Sequence, residues 1–273
     1  MRPQPDRVIA TRPVRPAFER AEKRLWFRDD RFGTAFFNAY LLLLCDEFEF
    51  VAIVRRYLAD VSDPALKAQL KGWLGQEAAH GVQHRKACVH LDRVGLRYRG
   101  YHKVLSFVVF RVLFALMSRR LRIAVIAALE HLNTMLGEMC LRKVDYFGDS
   151  DAELSLLLRW HFAEEIEHRA VIHDVAEALR VGYVMRVLAG GLAYLLYTGI
   201  LMATTVWLLL QNFDWCRPST YWRLLRFAFV DERFVQYSLA YARDYLAPSF
   251  HPLGRDCDRY AAPVFAQIAS PRH

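Results

Sequence analysis

The chain has 273 residues, 54% hydrophobic and 14% aromatic, so it can bury a sizeable core and is not a disordered chain. Net charge is +8, from 37 Lys plus Arg against 29 Asp plus Glu, which suits an anionic partner such as a lipid surface or nucleic acid. No aromatic interleaving or nucleic-acid motif accompanies the charge, so nucleic acid is set aside as a partner.

Residues 1–16 read as an extended basic arm, because Pro3, Pro5, Pro13 and Pro16 remove backbone donors and block helix. Its Arg2, Arg7, Arg12 and Arg15 are opposed only by Asp6, which makes the arm either a solvated tail or a contact for an anionic surface. It lacks the apolar stretch of a secretory signal. A short amphipathic helix is expected over 17–30, with Phe18, Leu25 and Trp26 on one side. From Gly33 to Ala59 or Asp60 runs a long helical pattern whose apolar run is broken by acids only at Asp46, Glu47 and Glu49. Ser62-Asp63-Pro64 pairs a capping residue with proline at the first helical position, and starts a second helix running to Leu91.

Residues 94–102, with two glycines, form a connector to the very apolar stretch 104–117, which holds only Arg111 as a charge. A third long helix is expected from Arg119 to Asp145, a turn at 148–151, and a fourth helix from Ala152 to Arg180. Residues 187–210 carry no charge and, at about 1.5 Å per residue, would reach roughly 36 Å, enough to cross a bilayer core. That stretch is either membrane-embedded or a buried helix or hairpin broken at Gly190-Gly191 and Gly199. Two amphipathic helices follow, over 220–229 and 231–246, and the tail 247–273 reads as irregular. Strand-like alternation is not found, so the fold class is all-α, organised as an arm (1–16), a helical bundle (17–181) and C-terminal helices (182–246) beside it. The five cysteines are odd in number, widely spaced and without a C-x-x-C pair, so no zinc ribbon or disulfide framework is expected and a reducing cytoplasm fits.

Four stretches carry chemistry: Glu47, then Glu77 with His80, then Glu130, then Glu165 with His168. A lone Glu followed by Glu-x-x-His, twice over, is the ligand order of a di-metal carboxylate bundle, and the i, i+3 spacing puts each pair on one helix face. Counting from the turn near residue 61, Glu47 lies at about 21 Å and the Glu77/His80 pair at about 24–28 Å along their helices. Counting from the turn near residue 148, Glu130 lies at about 27 Å and the Glu165/His168 pair at about 25–30 Å. Both hairpins are therefore level. A single Glu-x-x-His is more often a solvated pair, but acids inside apolar runs are costly unless they are partnered. Glu164 is the substitute ligand if the register is shifted. His84 and His161, each one turn from a pair, could add nitrogen ligands or hydrogen-bond support, and Asp174 could orient a ligand imidazole.

At DEFEFVAIVRR, GQEAAHGVQHR, the EH of ALEHL and WHFAEEIEHRAVIHDV the chain resembles a bacterial family of predicted metal-dependent hydrolases, a ferritin-like group, over about residues 15–230. The resemblance implies a ferritin-like four-helix bundle and a metal-dependent reaction. Asp46 stands where relatives carry glycine, which leaves Glu49 as the alternative to Glu47. A donor set of four carboxylates and two imidazoles suits two iron ions, or manganese, with Glu77 and Glu165 bridging. The leading expectation is oxygen-dependent oxidation of a small apolar or acyl substrate, fed by the apolar segments from a membrane surface or the inner face of a membrane. Hydrolysis by a metal-activated water is the alternative, and a non-catalytic iron-binding protein the third. A homodimer is left open.

Overall fold

A computed structural model describes residues 8–212 and 214–269; Arg2, Asp6 and Arg7 of the expected arm lie outside them. The chain is all-α, with no strand among the described residues. Four helical lines carry the acids: α1 (Arg31–Leu44) continuing into α2 (Glu47–Val54), α3 (Pro64–Arg93), α6 (Arg119–Leu141), and α7 (Ala152–His168) continuing into α8 (Val171–Ala178). Between α3 and α6 lie α4 (Arg99–Ser106), a π-helical stretch Phe107–Leu113 and the short α5 (Phe114–Leu116). After α8 come α9 (Tyr183–Gln211), α10 (Pro218–Phe229), α11 (Phe234–Leu246) and α12 (Asp258–Ala269).

Helix starts follow the caps in the sequence. Asp63 accepts from the Ala65 amide with Pro64 at the first position of α3, Ser118 accepts from Leu121 at the start of α6, and Asp151 accepts from Glu153 and Leu154 at the start of α7. Several expected extents are corrected. Over 17–30 no α-helix forms; a 3₁₀ turn, Phe18–Arg20, and a second turn over 24–29 stand in its place. The first long helix is interrupted at Cys45 and Asp46, and the fourth at Arg169 and Ala170. At the second break the buried Arg169 guanidinium donates to the Ile166, Pro252 and Arg255 carbonyls and pairs with Asp258, joining the break to the C-terminal segment. The tail, expected to be irregular, contains α12, which packs on α7. Cys45 and Cys88, expected as free thiols, are bonded as a disulfide between the α1–α2 junction and α3.

The arm does not trail into solvent over its described part. Ile9 and Val14 are buried, and Arg12 forms a two-point pair with Glu167 at 2.7 and 2.8 Å. Gly72 and Gly75 of α3 make room for it, since a Cβ at either would collide with Ile9 or Thr11.

Helix α9 is the one described helix long and apolar enough to cross a bilayer. It runs unbroken through Gly190, Gly191 and Gly199 and packs against both α1 and α6. The apolar core falls into two clusters that change over at one level on each line. On α3 Trp73 and Leu74 belong to one cluster and Ala87 to the other, and on α6 Ala128 and Met135 divide the same way. The acids and histidines sit at that changeover.

Candidate metal centre

Glu47, Glu77, His80, Glu130, Glu165 and His168 are all buried and all meet in this layer. Glu47, His80, His161 and Glu165 each offer an atom within 4.8 Å of the others, and Glu77, Glu130 and His168 do the same. Two carboxylates lie between the groups. Glu165 Oε1 is 3.3 Å from His161 Nε2 while its Oε2 is 3.2 Å from His168 Nε2. Glu77 Oε1 is 3.3 Å from His80 Nδ1 and 3.4 Å from His168 Nε2.

Buried polar atoms normally find a partner, and an orphan costs about 1–3 kcal/mol. Such orphans occur elsewhere in the chain, but here they are concentrated: both oxygens of Glu47 and Glu165, Glu77 Oε1, His80 Nδ1 and His168 Nε2 have no hydrogen-bond partner among the described residues. The opposite ring nitrogens are held from outside. His80 Nε2 lies 2.9 Å from Glu164 Oε2, and His168 Nδ1 lies 3.0 Å from Gln76 Oε1. An acceptor on the outer nitrogen keeps the proton there and leaves the inner lone pair free for a metal. The donor set therefore fits a pair of cations that accept carboxylate oxygen and imidazole nitrogen.

Electrostatics point the same way. Burial, then the neighbouring acids, push the Glu47, Glu130 and Glu165 carboxyls well above the usual carboxylate range. Burial also raises Glu77, but the charge and close approach of His80, with the charge of His168, outweigh it and leave that carboxyl lowered. Burial would lower His80, yet Glu77, Glu164 and Glu47 overcome it and hold the ring's pKa well above the ordinary value. His84 and His161 go the other way, pushed well down by burial and by the charge of His80.

Each remaining candidate has a definite place. Glu164 backs His80 from outside, and its Oε1 accepts from the Arg12 amide at 3.3 Å. His161 is inside the first group, with Tyr40 hydroxyl 2.9 Å from its Nε2 and His84 Nε2 3.2 Å from its Nδ1. Asp174 lies instead 2.9 Å from His251, so the imidazole it orients is outside the cluster. Glu49, the alternative to Glu47, pairs with Arg111 at 2.9 Å. Residues that sequence reasoning missed are Gln76, Tyr40 and Trp73, whose indole donates to Glu130 Oε2 at 3.0 Å. Trp73 lies four residues before Glu77 and Gln76 four before His80, so helical spacing from the motif was the available signal.

A cavity of about 110 Å³ opens onto Glu47, Glu77 and Glu130. Its walls are apolar: Leu105, Val109 and Leu113 from the α4–α5 segment, Val125 and Ile126 from α6, and Leu196 and Ile200 from α9.

The family described as predicted metal-dependent hydrolases matches residues 10–256. The chain belongs to that family. No curated protein and no solved structure matches it. For this predicted metal-dependent hydrolase the buried Glu and His clusters are the groups that could hold the metal.

Proposed function

We propose that the chain is a ferritin-like di-iron enzyme, with manganese as the accommodated substitute, that oxidises a small apolar or acyl substrate using oxygen. One observation carries this reading: the unpartnered oxygens of Glu47 and Glu77 line an apolar cavity, and the unpartnered His80 and His168 nitrogens lie 3.3 and 3.4 Å behind Glu77 Oε1. Glu47, His80 and Glu165 would hold one ion, and Glu77, Glu130 and His168 the other. The ions, when bound, supply redox chemistry toward oxygen. The chain's own residues do the rest. Leu105, Val109, Leu113 and Ile126 exclude water and hold an apolar chain against the floor. Trp73 fixes Glu130, whereas Glu47 lines the cavity with both oxygens unpartnered, so of the two Glu47 has the freedom to shift at the cavity edge. Tyr40 and His161, hydrogen-bonded in the same layer, can hold a proton beside Glu165.

The test is metal analysis of aerobically and anaerobically purified protein, followed by reduction and re-exposure to oxygen. Two irons per chain and an oxygen-dependent optical change are expected; bound iron without that change refutes oxidation. A second reading, hydrolysis by a metal-activated water, is favoured by the family's description. Ester turnover under strict anaerobiosis separates it from the first.

A further inference from the structure

The segment from α4 to α5 is apolar on two opposite sides. Its inner face, Leu105, Val109, Phe110, Leu113 and Phe114, lines the cavity. Its outer face is left open: Val104 is 65% exposed, Phe107 60% and Leu116 81%, with Val108 and Val112 exposed between them. A surface helix ordinarily turns polar residues outward, and one that is apolar all round is covered by protein or by lipid.

Charge decides what kind of cover this face takes. Between Asp92 and Glu130 the chain carries eight Lys or Arg and no Asp or Glu; three of the eight, Arg99, Arg111 and Arg119, pair with Asp92, Glu49 and Asp60. Lys103 stands on the outer face itself, among the exposed apolar side chains, with Arg111, paired to Glu49, one helical stretch further on. Helix α9 runs alongside, with Tyr101 stacked on Trp207 at 4.6 Å and bonded to Thr204 at 2.7 Å, and it exposes Leu188 and Leu195. No acid occurs between Glu177 and Asp214 either. A second copy brought to this face would meet the same cations, whereas apolar side chains set among Lys and Arg match the interface of an anionic bilayer.

We propose that the outer face of residues 99–116, with the adjoining edge of α9, docks in the plane of an anionic lipid bilayer. This places the cavity wall against the lipid from which an acyl substrate would come, so the inference deepens the proposed function and rests on its choice of substrate. The segment lies on the membrane and does not span it, because its inner face is engaged with the cavity and α9 is packed on α1 and α6.

The experiment is co-sedimentation of the full metal-loaded chain with vesicles of phosphatidylcholine alone and of phosphatidylcholine mixed with phosphatidylglycerol. Binding to the mixed vesicles, weakened by salt, is expected. Phe107→Ser with Leu116→Ser should reduce the partition coefficient by about tenfold or more, since each removes a large apolar side chain from the lipid interface. Lys103→Glu should weaken binding only to the anionic vesicles. Equal binding to both vesicle types, no binding, or unchanged binding of the double variant overturns the proposal. So does a dimer in light scattering that the double variant dissociates, which would make a second copy the cover. Metal content is measured on the same samples. Lost vesicle binding with metal retained rejects the docking face alone, whereas vesicle binding by a chain that takes up no metal rejects the function alone.

Discussion

Replacing Glu164 by glutamine tests the layer behind the ligands. Glu164 is fully buried, and its two oxygens have separate duties: Oε2 lies 2.9 Å from His80 Nε2, and Oε1 accepts from the Arg12 amide. A glutamine of the same shape has one acceptor for these two neighbours. If its oxygen turns to His80, its amide faces the Arg12 N–H, donor against donor. If its oxygen turns to Arg12, its amide confronts His80 Nε2 and drives the imidazole proton to Nδ1, the atom that the proposed ligand role needs bare. Either outcome weakens the site. Loss of such an outer partner ordinarily costs 10- to 100-fold in metal affinity, about 1.4–2.7 kcal/mol. The assay is titration of metal-free protein against a competing chelator, with circular dichroism to show that the helices are retained. Glu167→Gln is the comparison: Glu167 holds Gln76 and Arg12 and reaches His168 only through Gln76, so its effect should be smaller. A Glu164→Gln chain that binds metal as tightly as the parent refutes the reasoning.

Glu77→Ala or His168→Ala should each strip most of the bound metal while preserving helical content; full metal occupancy in either, read by elemental analysis, would remove them from the ligand set. Stabilisation by metal should grow with pH. Glu47, Glu130 and Glu165 have raised carboxyls, so at these three sites the metal-free folded chain binds more protons than the unfolded one above about pH 4.5, and their contribution to its stability falls as pH rises toward the folded-state values. Cations replace those protons, so the gap between metal-loaded and metal-free melting temperatures should widen from about pH 5 to about pH 8; a constant or shrinking gap contradicts this. Val109→Trp should fill the cavity, at a stability cost of about 1–3 kcal/mol, and abolish turnover with metal content unchanged.

Much of this was legible in the sequence because it is local. Asp63-Pro64, Ser118 and Asp151 mark helix starts through side chains that bond to amides two or three residues on, and the Glu-x-x-His spacing depends only on helical geometry. What escaped was set by distant partners. Glu164 was a spare acid by register, and its place against His80 follows from how α7 packs on α3. Asp174 sits six residues past His168, yet His251, 77 residues away, claims it. The helix expected over 17–30 gives way to a turn because Trp26 and Phe27 are drawn into the core around Asn38 and Phe37. The helix at 258–269 was hidden by the prolines before it and by Pro263 inside it, and its seat depends on Arg169 reaching Asp258.

The two interruptions that the periodic pattern failed to show are themselves informative about the centre. Apolar periodicity runs straight through 45–46, and the motif residues through 169–170 read as one helix, yet both lines stop at the level of the ligands. The first break makes Glu47 the opening residue of α2, and the second makes His168 the closing residue of α7. A carboxylate at a helix N-terminus and a protonated or metal-bound imidazole at a C-terminus each meet the favourable end of the helix dipole, worth about 0.3–1 kcal/mol and up to about 2 when partly buried. That contribution opposes the burial that raises Glu47. The same breaks let each line leave one apolar cluster and enter the other on a new heading, with Val51 and Val171 in the second cluster after Cys45 and Ile166 in the first. A polar layer between two apolar clusters is unstable as a layer of bare charge; helix ends within it and Glu164 and Gln76 behind it support it here, and in the proposed function cations received by its unpartnered atoms would complete that support.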